Sequence, residues 1–392
     1  GVVKIRLSQV VNFRLLLRNG PHEPTLLSDG SMIHIAIGTK AQFIKMFPIM
    51  MELERRSVDF RYIDLGQHSL ITEKLRGEHG FRKPDVILSS GRNISALAQG
   101  FRWLLAIISH GICKSSLQTV FSGQGGICLI HGDTVSTVCA LYLAKRAKLS
   151  VAHVEAGLRS FHFLEPFPEE IIRYLVMRYS DILFAPSSHA MKNLKAMGLE
   201  QKSVAIQGNT SIESLFYSLS KPIDFRLPPG EFALVTAHRI ENIFSFERLY
   251  FIIEMIEQIS KKMKVVFVQH PPTLVQIAKC GLKAKLESMK YVEFSTILNH
   301  TQFAQLIRSS QFVITDGGSI QEECYYMGKP CLLLRKYTER MEGIGRNVVV
   351  CGMDWDKVTY FLANYHRLNA EPVDLGTKPS TQIVDRLLEL AI

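Results

Sequence analysis

No run of about 18 apolar residues occurs in the 392-residue chain, which argues against a membrane-spanning helix. None of the seven cysteines, Cys113, Cys128, Cys139, Cys280, Cys324, Cys331 and Cys351, forms a CxxC pair, and no zinc-finger spacing exists. Most sit among apolar neighbours, as reduced core thiols do, so no metal site is expected. The net charge is +10, yet no Lys/Arg block is interleaved with aromatics, and nucleic-acid binding is not expected. A diffuse positive field that attracts a nucleotide diphosphate and a basic surface without a partner both account for the charge. The complete Walker A and dinucleotide fingerprints are absent as well, which leaves no pattern for a nicotinamide or flavin cofactor. The first twenty residues carry scattered arginines without a small-residue cleavage pattern, so a cytoplasmic enzyme is the expectation.

What the chain has is 47% hydrophobic residues, arranged in short runs that end in glycine or acidic turns. Such runs suit parallel strands covered on both faces. In the first half they are Met32 to Ile37, Phe60 to Leu65, Pro84 to Leu88, Ile127 to Ile130, Val151 to Val154, Asp181 to Phe184 and Val204 to Ile206. The second half repeats the rhythm with Phe232 to Val235, Val265 to Val268, Val292 to Phe294, Phe312 to Ile314, Cys331 to Leu334 and Val348 to Val350. Helices are expected over Ala41 to Leu53, Ile94 to Ser109 and Val138 to Ala147. The fold class is therefore α/β, with two Rossmann-like domains and polar strand ends gathered on an interdomain cleft. Residues 1–207 form the first domain, 1–30 being an unassigned extension with turn signals at Pro21–Pro24 and Ser28–Gly30. Residues 208–378 form the second. Residues 379–392 are a final helix whose stripe Ile383, Val384, Leu387, Leu388 and Ala391 can pack on either domain.

Candidate chemistry collects at the strand ends. Asp133 follows one strand, where a cap for the next helix is the plainer account of it. Glu155 leaves the next strand beside Gly157, a position open to ligand approach. Glu169 and Glu170 open a helix behind Pro168, and stabilising the helix dipole is the plainer account of them. Carboxylates on successive elements can still form an acid/base set, because neighbouring charges push their pKa values apart. In the second half, Asp316–Ser319 opens a helix whose free N–H groups can hold a phosphate, and Glu323 one turn in can accept ribose hydroxyls. His238 and Arg239 at one strand end, with Thr338–Arg340 at another, can clamp a diphosphate.

Taken in order, these clusters resemble the UDP-N-acetylglucosamine 2-epimerase family over roughly residues 32 to 390. The pieces are HGDT at His131–Thr134, HVEAGLRS at His153–Ser160, PEE at Pro168–Glu170 and GNT at Gly208–Thr210. TAHR-EN at Thr236–Asn242, IQEE at Ile320–Glu323 and TER-EG at Thr338–Gly343 complete the series. The resemblance implies a glycosyltransferase B type architecture with the last helix crossing back to the first domain. It also implies a UDP-sugar substrate, no cofactor and a homodimer. The reaction implied is loss of UDP with removal of the C2 proton, giving a 2-acetamidoglucal, and re-addition after protonation on the other face. Asp133, Glu155, Glu169 and His238 are then the catalytic candidates. Lys40, Lys45, Arg159, Arg173, Asn209, Arg239, Gly317, Gly318, Ser319, Glu323, Arg340 and Glu342 are the substrate-binding ones. A hydrolysing 2-epimerase releasing N-acetylmannosamine and UDP, or a glycosyltransferase of the same architecture, is the alternative.

The chain departs from the family pattern at several points. The usual GTRPE is Gly38-Thr39-Lys40-Ala41-Gln42, so a carboxylate becomes an amide and an arginine a lysine without the planar fork. The serine before the paired glycines is Gly317, and HxNP is His270-Pro271-Pro272-Thr273. Loss of the HxNP pattern predicts a near-hyperbolic dependence on substrate without a second, activating nucleotide sugar.

Overall fold

The computed structural model describes residues 32–89, 94, 97–122, 125–161 and 168–390. The turn signals expected before residue 31, and Pro166 and Phe167, lie outside the described residues. The chain divides into two compact units, one up to Ser214 and again from Gly376, the other Leu215–Leu375.

The first unit holds a seven-stranded sheet. Its strands are β1 (Met32–Ile37), β2 (Phe60–Asp64), β3 (Val86–Ile87), β4 (Gly126–His131), β5 (Ser150–Val154), β6 (Ile182–Ala185) and β7 (Ser203–Ala205). They lie in the order β3-β2-β1-β4-β5-β6-β7, and all described pairings are parallel. The continuous apolar runs follow from this, since helices cover both faces. Ile35, Ile37, Leu129, Ile130 and Val151 are wholly buried, each stabilising the core by about 1.5–3 kcal/mol relative to exposure. The order reverses between β1 and β4, and ligands of such sheets bind beyond the carboxyl ends of the strands at that point.

The helix predicted from Ile94 runs Leu97–Ile112, and a second one, Lys114–Val120, follows it after Cys113. The final helix, Pro379–Glu389, begins with proline at its first position and packs on the helix Lys40–Arg55 of the same unit. Ile383, Val384 and Leu387 are fully buried there. Its first turn is tied down by Ser380, whose N–H and hydroxyl donate to Glu213 at 2.7 and 2.6 Å.

The second unit holds β8 (Phe232–Thr236), β9 (Lys264–Val268), β10 (Val292–Ser295), β11 (Phe312–Thr315), β12 (Cys331–Leu333) and β13 (Val348–Val350). The order is β10-β9-β8-β11-β12-β13, again parallel throughout, with the reversal between β8 and β11. No helix among the described residues is long and apolar enough to cross a membrane.

Candidate active site

In the first unit, the turns after β1, β4 and β5 are bound to one another through side chains. Gln42 is central. Its Oε1 accepts from the N–H groups of Gly38 and Thr39 at 2.8 and 3.1 Å and from Ser136 Oγ at 3.0 Å. Its Nε2 donates to the His131 carbonyl and to Thr137 Oγ1, both at 2.9 Å. A carboxylate could accept the first three bonds but could not donate the last two. The amide at position 42 is therefore matched to its surroundings in this chain.

Glu155 directly follows β5 and is held at φ +67°, a left-handed conformation that a non-glycine residue adopts at a cost of about 1–3 kcal/mol. What holds it is charge. Lys45 Nζ lies 2.5 Å from Glu155 Oε1, and Asn209 Nδ2 donates to the same oxygen at 2.7 Å. His131 Nε2 sits 3.1 Å from the other oxygen. Burial is the main influence on that imidazole and pushes its pKa down to about 3, despite the nearby Glu155 carboxylate. His153, beside it on β5, is likewise pulled down to about 4 by burial and donates from Nε2 to the Gly132 carbonyl at 2.8 Å. Both imidazoles are neutral near pH 7.

Asp133 lies in the turn after β4. The following helix, Val135–Arg146, is capped by Thr134, so Asp133 does not serve as its cap. Arg173 Nε donates to Asp133 Oδ2 at 2.7 Å. Arg173 also approaches Glu170, which is fully buried and takes a short charge-assisted bond from Arg159 Nε. The N–H groups of Ser160 and Phe161 add to Glu170 at 3.1 and 3.2 Å. Arg159 is thus engaged with Glu170 and stacks over Phe161 at 4.8 Å. Glu169 opens the helix Glu169–Tyr179, and its buried Oε2 has no hydrogen-bond partner among the described residues. Lys40, half-buried, is the first residue of the helix Lys40–Arg55.

The second unit is organised around Asp316, a fully buried carboxylate at the end of β11. It accepts from the N–H groups of His238 and Arg239 at 3.0 and 2.9 Å and from Asn242 Nδ2 at 3.0 Å. The turn after β8 is thereby sewn to the turn after β11, across the reversal point of the sheet. His238 keeps a partly exposed ring, its pKa lowered chiefly by burial, and stacks on His270 with centroids 4.5 Å apart. Gly317 caps the helix Gly318–Tyr326. A β-carbon on Gly317 would come within 3.3 Å of the His238 ring, and one on Gly318 within 3.2 Å of Arg340 Nε. Ser319 is exposed on the first turn of that helix. Arg340 pairs with buried Glu322 at 2.9 Å. Gln321 Nε2 donates to the backbone carbonyls of Arg340 and Glu342 at 3.1 and 3.0 Å, tethering their loop. Glu323 is buried against His300 Nε2 at 3.0 Å.

The structure therefore brings Lys45, Glu155 and Asn209 together, Asp133 with Arg173, and His238 and Arg239 with Gly317. Gln42, His153, Asp316 and His300 are organisers that the sequence reading did not include among the site residues. Asp316 had a signal, an acid at a strand end before paired glycines. His300 had none, because 23 residues separate it from Glu323.

Two all-parallel α/β units with polar groups at each sheet's reversal point define a protein of the glycosyltransferase B-like class. A family model described as UDP-N-acetylglucosamine 2-epimerase matches residues 51–374. The chain is 31% identical over 333 residues to UDP-N-acetylglucosamine 2-epimerase of Methanocaldococcus jannaschii, covering 81% of this chain and 88% of that one. It is 32% identical over 325 residues to UDP-2,3-diacetamido-2,3-dideoxy-D-glucuronate 2-epimerase of Pseudomonas aeruginosa, covering 80% and 86%. The crystal structure of UDP-GlcNAc 2-epimerase from Neisseria meningitidis bound to UDP-GlcNAc matches with a TM-score of 0.78 at 26% identity, over 91% and 100% of the two chains. This chain belongs to the UDP-N-acetylglucosamine 2-epimerase family, and it is an isomerase.

Proposed function

We propose that the protein inverts C2 of UDP-N-acetylglucosamine by eliminating UDP and adding it back through a 2-acetamidoglucal. The C2 proton is weakly acidic, so its removal goes with breaking of the C1–O bond, as positive character develops at C1. An ionised carboxylate stabilises that charge and a second group moves the proton. The observation that carries the reading is the contrast among three carboxylates. Glu155 is tied to Lys45 and Asn209, and Asp133 to Arg173, whereas Glu169 has a buried oxygen without a partner among the described residues. In this reading Glu155 and Asp133 supply fixed negative charge and shared proton work, and Glu169 is the principal group exchanging the C2 proton. Lys45, Asn209 and Arg173 hold the first two, and Arg159 braces the chain through Glu170.

The nucleotide end belongs to the second unit. His238 and Arg239 meet the diphosphate, with the helix start at Gly317, Gly318 and Ser319 offering N–H groups to phosphate oxygens. Arg340 and Glu342 line the same loop, and Glu323 takes ribose hydroxyls. The relative named for a diacetamido glucuronate supports a second reading in which the sugar is a diacetamido uronic acid.

The test is NMR of UDP-N-acetylglucosamine and the diacetamido uronate turned over in D2O. The proposal expects deuterium at C2 of the UDP-linked product. Glu169→Gln is expected to lose most exchange while still binding UDP, since an amide fills the space but cannot act as the base. Epimerisation without deuterium would overturn the mechanism, and normal exchange in Glu169→Gln would move the base elsewhere. Deuterated free N-acetylmannosamine without a UDP-linked epimer would assign the hydrolysing reaction instead.

A further inference from the structure

Glu323 does not stand alone in its helix. His300 Nε2 lies 3.0 Å from Glu323 Oε1, and His300 Nδ1 lies 2.9 Å from Ser218 Oγ. All three side chains are buried in the second unit. A carboxylate can only accept, so the geometry gives His300 an Nε2–H that donates to Glu323, with Nδ1 turned to the Ser218 hydroxyl. Each member comes from a different element. Ser218 lies near the end of the helix Ser211–Ser220, and His300 is the first residue of the helix His300–Ser309. Asn299 caps that helix, accepting from Gln302 N–H at 2.8 Å, which holds its first turn in place. The imidazole is thereby held from its backbone and from Ser218.

We infer that His300, oriented by Ser218, is a positioning residue for nucleotide recognition: it secures one oxygen of Glu323 so that the carboxylate is presented to ribose hydroxyls. The inference rests on the reading of Glu323 given above. A buried carboxylate robbed of its one donor among the described residues turns away, and it then accepts fewer hydroxyl bonds. Specificity follows from this. The Ser218–His300–Glu323 chain would select ribonucleotide over deoxyribonucleotide, while leaving the chemistry at C2 untouched.

The experiment compares UDP with 2′-deoxy-UDP by calorimetry, and steady-state kinetics with UDP-N-acetylglucosamine, in the full chain. His300→Leu is expected to weaken UDP binding and raise KM by about tenfold, as loss of a charge-assisted bond does, with kcat within about twofold of the parent. The preference for UDP over 2′-deoxy-UDP should collapse in both His300→Leu and Glu323→Ala. His300→Gln places an amide N–H near the Nε2 position and should restore affinity to within about threefold. If Glu323→Ala loses the preference and a folded His300→Leu keeps it, the positioning role is wrong while the role of Glu323 stands. If Glu323→Ala itself binds UDP normally, the reading of Glu323 fails first. Should His300→Leu not fold, Ser218→Ala decides: a reduced preference for UDP supports the chain of three, and an unchanged one overturns it.

Discussion

The two units have the same strand order around their reversal points and differ in what holds the carboxylates there. In the first, side chains far apart in sequence hold one another: Lys45 with Glu155, Glu155 with Asn209, Asp133 with Arg173. In the second, one buried carboxylate, Asp316, gathers backbone N–H groups and an amide, and the buried pairs Arg335–Glu339 and Arg340–Glu322 lie within a loop and its adjacent helix. Backbone donors are placed by the fold itself and survive most substitutions nearby. Side-chain pairs depend on both partners, and losing one leaves the other charged and buried. The first unit also buries neutral imidazoles and holds Glu155 in a strained conformation. Strain and buried charge of this kind gather where chemistry needs groups held in place.

The comparison can be broken most forcefully at Lys45. Lys45→Met should destabilise the protein by about 3–5 kcal/mol, because Glu155 is left buried with no cation. Adding Glu155→Gly removes the stranded charge and suits the positive φ, so most of that loss should return while activity stays absent. Urea denaturation of both variants measures this. A Lys45→Met protein as stable as the parent would mean that the pair contributes nothing and that the contrast between the units is only geometric.

Acid offers the next largest effect. Burial pulls His34 and His153 down to about 4 and His131 to about 3, all three in the first unit. The unfolded chain protonates these imidazoles near pH 6.5 and the folded one does not, so stability falls as pH drops from about 6.5 toward 4. Asp64 opposes this. Burial raises its carboxyl to about 6, so the folded form takes up that proton first and is favoured over the same range. Among these four groups the balance is a loss of roughly 2–3 kcal/mol per pH unit around pH 5; His68, lowered by burial, adds to it, and Glu213, raised by burial, opposes it. Trp103 reports on the first unit and Trp355, packed on Phe251, on the second. Tryptophan fluorescence of Trp103→Phe and Trp355→Phe proteins should show the first unit losing its structure at the higher pH. Coincident transitions would erase the distinction.

How much of this was legible beforehand depended on whether the signal was local. The strands were readable within a residue or two, because continuous apolar runs ending in glycine or acid leave little choice in a doubly covered sheet. Asp133, Glu155 and Glu169 stood at element ends, where such residues are conspicuous. The helix Lys114–Val120 was missed because only Cys113 separates it from the helix before, which runs on through Gly111 to Ile112. The partners were less legible than the carboxylates. Arg159 is a substrate-binding candidate by family resemblance, and the structure places it on Glu170 eleven residues later in the chain. Gln42 read as a departure from a family pattern, and only the folded contacts show it donating to His131 and Thr137.

The smallest effect tests strain itself. Lys148, like Glu155, has a positive φ, at +59°. It lies just past the helix Val135–Arg146, whose end is closed by Leu149 N–H donating to Ala144 and Lys148 N–H to Lys145, both carbonyls of the last turn. That pattern places a left-handed residue at the helix end, a position that favours glycine. Gly80, Gly198, Gly281 and Gly328 occupy the same position after other helices, each at positive φ. The Lys148 side chain is exposed, so little packing is lost on its removal. Lys148→Gly should therefore stabilise the first unit by about 1 kcal/mol, with activity unchanged. Glu155→Gly relieves the same kind of backbone strain but strands Lys45, so it should lose both stability and activity. Urea melts of the two single variants set relief of strain against loss of charge at one conformation. If both substitutions stabilise, Glu155 is held by its backbone surroundings rather than by Lys45 and Asn209, and the account of the first unit as a scaffold of side-chain pairs fails.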